Sequence, residues 1–154
     1  MADRLLIRTD GASRSNPGPA SAGAVLIDAS LPNATSIDAP PLSVVSRPLG
    51  VQTNNVAEYT ALVLALKEAH RLGATEIDLR LDSKLIVEQL HGRWRVKDPK
   101  MRVLWSESKE LLAGFARWNA THEPRATNKA ADALANLALD DPAAAARLEA
   151  KYRA

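Results

Sequence analysis

Residues 53–73 constrain this chain's fold more than any other stretch. Thr53-Asn54-Asn55 supplies side-chain oxygens suited to a helix N-cap and Gly73 supplies a stop, which predicts a helix over residues 53–72. From Val56 to Leu66 every position is apolar except Glu58 and Thr60. A helix apolar around most of its circumference is a buried helix. Helical steps from position 58 reach Leu62, Ala65 and Ala69, so Glu58 lies in line with a core stripe.

The flanking segments supply the layers that bury it. Residues 4–9 read as a strand that stops at Asp10-Gly11, and residues 13–19, with two prolines and a glycine, read as a loop. Residues 22–28 predict a second strand, 29–41 a long hairpin connection rich in Pro, Ala and Ser, and 42–49 a third strand. Beyond the helix, residues 76–81 alternate with Ile77, Leu79 and Leu81 on one face, a strand pattern. Residues 83–90 form a short helix broken by Gly92, and Pro99 opens another that runs to residue 113. Residues 115–122 predict the fifth strand and 127–139 a further helix. Strands followed by strand–helix alternation predict an α/β fold with helices on both faces of a five-stranded mixed sheet, three strands antiparallel and then two parallel. Residues 1–139 form one domain with no internal repeat, and 140–154 form a helical tail with a weak apolar face.

Composition narrows the chemistry. The 154 residues are 46% hydrophobic and 25% charged, a globular balance, and the formal charge of +2 leaves nucleic-acid binding to local basic patches. There are no cysteines, which excludes disulfides, zinc–thiolate sites and thiol catalysis. The N-terminus lacks a signal-peptide pattern, and no apolar run approaches the ~20 residues of a membrane helix, so a cytoplasmic protein with no membrane partner is expected.

Besides Glu58, three carboxylates stand at element junctions. Asp10 precedes Gly11 and reads equally as a turn-former, Asp82 precedes Ser83 where an aspartate caps helices, and Asp132 sits early in an alanine-rich helix. Each has an ordinary structural explanation taken alone. Taken together, strand ends and helix N-termini converge on one edge of an open α/β sheet, where ligands bind. Four carboxylates there suit a hard cation such as Mg²⁺, and two such ions suit phosphodiester hydrolysis. Histidines at zinc-ligand spacing are missing.

These residues resemble the type 1 ribonucleases H, which cleave the RNA strand of RNA–DNA hybrids. The resemblance rests on Thr9-Asp10-Gly11-Ala12-Ser13 with Asn16-Pro17-Gly18-Pro19, then Thr53-Asn54-Asn55-Val56-Ala57-Glu58 and Leu81-Asp82-Ser83. His122 follows, with Asn128 and Asp132 in Asn-Lys-Ala-Ala-Asp-Ala-Leu-Ala-Asn, all in the family's order across residues 4–139. It implies a ribonuclease H-like fold, with Asp10, Glu58, Asp82 and Asp132 as catalytic ligands of two Mg²⁺ ions, Mn²⁺ being an alternative. His122 would assist proton transfer or product release. Gly11, Ala12, Asn16, Thr53, Asn54, Asn55 and Asn128 would bind the hybrid, with Glu58 and the backbone near Gly11 and Ala12 testing for the 2′-hydroxyl.

Two departures concern the DNA strand. The long basic protrusion of many bacterial members is reduced to residues 91–100, where Arg93, Arg95 and Lys97 cluster around Trp94 as a modest phosphate-contacting patch. Some members place an arginine seven residues before Glu58, where this chain has Val51. The expected protein is a monomeric hybrid endonuclease without an obligate protein partner, leaving 5′-phosphate and 3′-hydroxyl ends. A nuclease of broader duplex specificity, including double-stranded RNA, and a non-catalytic nucleic-acid-binding module are the alternatives.

Overall fold

A computed structural model describes residues 2–154. Its elements run β1 (Arg4–Ser13), β2 (Gly18–Asp28), β3 (Ser43–Gln52), α1 (Asn54–Arg71), β4 (Glu76–Leu81), α2 (Lys84–Leu90), α3 (Pro99–Ala113), β5 (Arg117–His122), a 3₁₀ turn (Arg125–Thr127), α4 (Lys129–Asp140) and α5 (Pro142–Arg153). The five strands form one sheet in the order β3-β2-β1-β4-β5. β3, β2 and β1 are antiparallel, whereas β1, β4 and β5 are parallel, as the sequence pattern predicts.

Side-chain alternation assigns the two faces. Leu5 and Ile7 of β1 and Ala22, Ala24 and Leu26 of β2 face α1 and share its core with Leu62, Leu66, Leu79 and Leu112. Leu6, Val25 and Ile27 point the other way and pack with Val44 and Leu134 beneath α4. The apolar circumference of α1 is explained by this placement, since it meets the sheet on one side and α3 on another.

β1 does not stop at Asp10-Gly11. It continues to Ser13 because β2 keeps pairing with it, through Asp10↔Gly23, Gly11↔Ala22 and Ser13↔Ala20. Its parallel pairing with β4 ends at Thr9↔Leu81, so the two strands part just before Asp10 and Asp82. β5 starts two residues later than predicted, because the Phe115 N–H closes α3 on Leu112 O and the Ala116 N–H bonds Thr75 O.

The tail's docking was invisible in its weak apolar face because polar groups carry much of it. Glu149 accepts from the Ser46 N–H of edge strand β3 at 2.7 Å and pairs with Arg47, and Arg153 reaches Glu68 at 3.2 Å. Glu68 is itself 2% exposed on α1, held by Arg71 and the Ser43 hydroxyl. Leu148 and Tyr152 add apolar contact to the cluster below.

α4 lies on the sheet at backbone contact. A Cβ on Gly23 would come within 2.1 Å of Ala131 O, and the Ser21 and Ser46 hydroxyls each donate at 2.6 Å, to Ala135 O and Leu134 O respectively. Gly23→Ala is therefore expected to lift α4 and cost roughly 1–3 kcal/mol, read as a lower urea midpoint, whereas an unchanged midpoint would contradict this packing.

Candidate metal centre

The sheet edge beyond the parallel strands is where the candidate residues meet. Asp10 lies on the central strand just past its last pairing with β4, and Asp82 follows β4 directly. Ser83, not Asp82, caps α2, accepting from the Ile86 N–H, which leaves the Asp82 carboxylate free. Thr53 performs the same service for α1, accepting from the Val56 N–H, so Glu58 projects from the second turn without a capping duty.

Gly11 sets how closely Glu58 approaches. A Cβ there would lie 2.2 Å from Ala57 C and Glu58 N, so only glycine lets the first turns of α1 rest on β1 beside Asp10. Asp10, Glu58 and Asp82 each offer a carboxylate oxygen within 4.8 Å of the others, a donor set suited to a hard divalent cation. Asp132 stands outside that triad, exposed in the first turn of α4, yet its carboxylate approaches that of Asp10 and lines the same cavity. Asn128 ties α4 to β1 at this point, its amide donating to Thr9 O at 2.8 Å while its Oδ1 stays buried without a partner among the described residues.

The electrostatics follow from the crowding. Burial, then the contact with Asp132 and the charges of Asp82 and Asp132, push Asp10 up to about 8. Burial, then Asp82 and Asp10, push Glu58 up to about 9, against the Gly11 N–H and the Arg125 charge. Four carboxylates in such proximity fit a site built for added positive charge.

The site opens as a cavity of about 480 Å³ lined by the four carboxylates together with Gly11, Ala12, Ser13, Asn54, Asn55, Ser83 and Arg125. Asn16 accepts from the Asn54 N–H at 3.0 Å, joining the loop after β1 to the start of α1. His122 ends β5 level with Leu81, exposed and outside the cavity wall. Asn128 is 3% exposed and committed to Thr9. Trp94, Arg95 and Lys97 line a separate hollow of about 300 Å³ with Arg102 and Trp105, and Arg93 pairs with Glu88. Arg125 was not foreseen. A lone arginine in a Pro-containing loop carries no spacing signal, and only the fold brings it to the site.

The sequence matches the family described as "Reverse transcriptase-like" over residues 8–138. It is 48% identical over 132 residues to a Halobacterium salinarum protein named ribonuclease HI, covering 86% of this chain and 62% of that one, so the chain spans less than two thirds of that relative. The crystal structure of an RNase H1 from Halobacterium salinarum superposes with a TM-score of 0.81 at 46% identity, covering 90% of this chain and 98% of that one. The crystal structure of LC11-RNase H1 in complex with an RNA/DNA hybrid gives 0.79 at 34% identity, with 90% and 98% covered.

A pH dependence follows from the raised carboxyls. In an unfolded chain both ionise at about pH 4, but the folded chain keeps their protons to about 8 and about 9. Between these limits the native state binds more protons, so metal-free stability falls as pH rises through the window. Melting in EDTA should show Tm declining from pH 5 to pH 9, a decline flattened in Asp10→Asn and opposed most strongly by Mg²⁺ at the alkaline end. A metal-free Tm that climbs over this range would contradict the assignment.

Proposed function

Because the chain belongs to the ribonuclease H family, we propose that it hydrolyses the RNA strand of RNA–DNA hybrids using two divalent cations, Mg²⁺ or Mn²⁺. The observation that carries this reading is the convergence of Asp10, Glu58 and Asp82 within 4.8 Å, with Asp132 against Asp10, in a cavity open to solvent. Asp10, Glu58 and Asp82 would hold one cation, and Asp10 with Asp132 the other. When bound, the cations supply an activated water at neutral pH and positive charge for the phosphate and the leaving oxygen.

The chain's own groups position the substrate. Asn54 and Asn55 face the same cavity as the carboxylates, and Asn16 steadies their backbone. Gly11 and Ala12 bring bare backbone to the cavity wall beside Glu58, where a ribose 2′-hydroxyl finds both donor and acceptor. His122, at the end of β5, would handle the proton of the leaving oxygen or speed product release. Trp94, Arg95 and Lys97, on the hollow further along the surface, suit the phosphates of the DNA strand. Cleavage would leave a 5′-phosphate on one RNA fragment and a 3′-hydroxyl on the other. The LC11 protein solved with an RNA/DNA hybrid supports the choice of substrate.

The test is a cleavage assay with end-labelled hybrid, duplex DNA and duplex RNA. Wild-type protein should cut the RNA of the hybrid and stop in EDTA. Loss of a supporting group around a metal ligand already costs 10–100-fold, so Asp82→Asn should slow cleavage by on the order of a hundredfold or more. Full cleavage by that variant would remove the site from the mechanism, and equal cutting of duplex RNA would favour the broader specificity.

A further inference from the structure

Among the described residues, Arg125 is the only basic side chain lining the carboxylate cavity. Its Nε lies 3.8 Å from Asp82 Oδ2, its side chain is 86% exposed, and that of Asp82 is 6% exposed. Elsewhere in the fold, arginines that serve structure look different. Arg8 is buried with bonds to Glu123 and Thr35 O, and Arg80 is clamped between Asp78 and Glu123. Arg125 has one long contact, and it sits on the 3₁₀ turn between β5 and α4, whose start carries no side-chain cap. Charge rather than packing directs it to Asp82.

That contact conflicts with cation binding. A guanidinium is permanently charged and cannot give up its proton to make room. A divalent cation on Asp10, Glu58 and Asp82 would stand within a few ångströms of it, where the like charges repel, an effect moderated by the solvent around the exposed guanidinium. The two therefore contend for the same carboxylate. Resting on the two-cation reading above, we propose that Arg125 is a built-in competitor of the metal, a positioning residue that pairs with Asp82 in the metal-free chain and yields it to the incoming cation. Once displaced to the cavity mouth, the guanidinium has the phosphodiester of a bound nucleic acid as its next anionic partner. Cation and phosphodiester then favour each other's binding, because each relieves the cost that Arg125 imposes on the other, and such coupling is reciprocal.

The experiment is isothermal titration of MnCl₂ and MgCl₂ into metal-free wild type, Arg125→Ala, Arg125→Gln and Arg125→Lys, without nucleic acid. Thermal melts in EDTA verify that each variant is folded. An exposed ion pair is weak, so Arg125→Ala and Arg125→Gln should bind the cation roughly two- to fivefold more tightly than wild type, with Arg125→Lys close to wild type. A residue with a merely structural role would weaken metal binding or leave it unchanged when removed. The titration is then repeated with a hybrid whose RNA strand is 2′-O-methylated, so that it is not cut. Wild type should gain more metal affinity from the hybrid than Arg125→Ala does. Equal or weaker metal binding by both charge-removing variants overturns the competition while leaving the carboxylate site intact. A wild-type protein that takes up no divalent cation overturns the proposed function, and this inference with it.

Discussion

Mutual repulsion among Asp10, Glu58, Asp82 and Asp132 is the constraint around which the sheet edge is built. Carboxylates at this spacing would drift apart unless the backbone held them, and it does so at two points of direct contact. α1 rests on Gly11 and α4 rests on Gly23, which is the register partner of Asp10. Each glycine thus brings a carboxylate-bearing helix onto the central strand pair beside Asp10. Asn128, Ser21 and Ser46 pin α4 further by donating to backbone carbonyls. The fold's stability is spent on crowding these carboxyls together, and burial and their neighbours push Asp10 and Glu58 well above the usual carboxylate range.

Much of this was legible from residue order. Period-two alternation in residues 76–81 and the capped apolar run after Thr53 specified β4 and α1, because both signals are local and strong. The mixed topology followed from the order of elements, since helical crossovers deliver parallel strands. Glu58 could be singled out because it interrupts an apolar run, whereas Asp10, Asp82 and Asp132 each had an ordinary structural explanation and pointed to a site only when taken together at one sheet edge. Asp10 was misjudged as the end of its strand because pairing with β2 is a tertiary fact, and Asp-Gly carries a turn signal that the sheet overrides.

What the sequence withheld depended on contacts between distant residues. Glu68 looks like a surface glutamate late in a helix, yet it is buried because Arg71, Arg153 and Ser43 converge on it. The tail gave no apolar stripe to read because Glu149 and Arg153 supply polar anchors about a hundred residues from their partners in β3 and about eighty-five from Glu68. Arg125 belongs with these, a loop residue whose place opposite Asp82 arises only when β5 returns to the same sheet edge.

The most direct measurement is anomalous scattering from Mn²⁺ in crystals of the chain bound to an RNA–DNA hybrid. The account predicts two peaks about 3.5–4 Å apart, one touching Asp10, Glu58 and Asp82 and the other touching Asp10 and Asp132. Crystals that hold the hybrid against this edge but show no manganese on these carboxylates, or manganese bound only elsewhere, would contradict it.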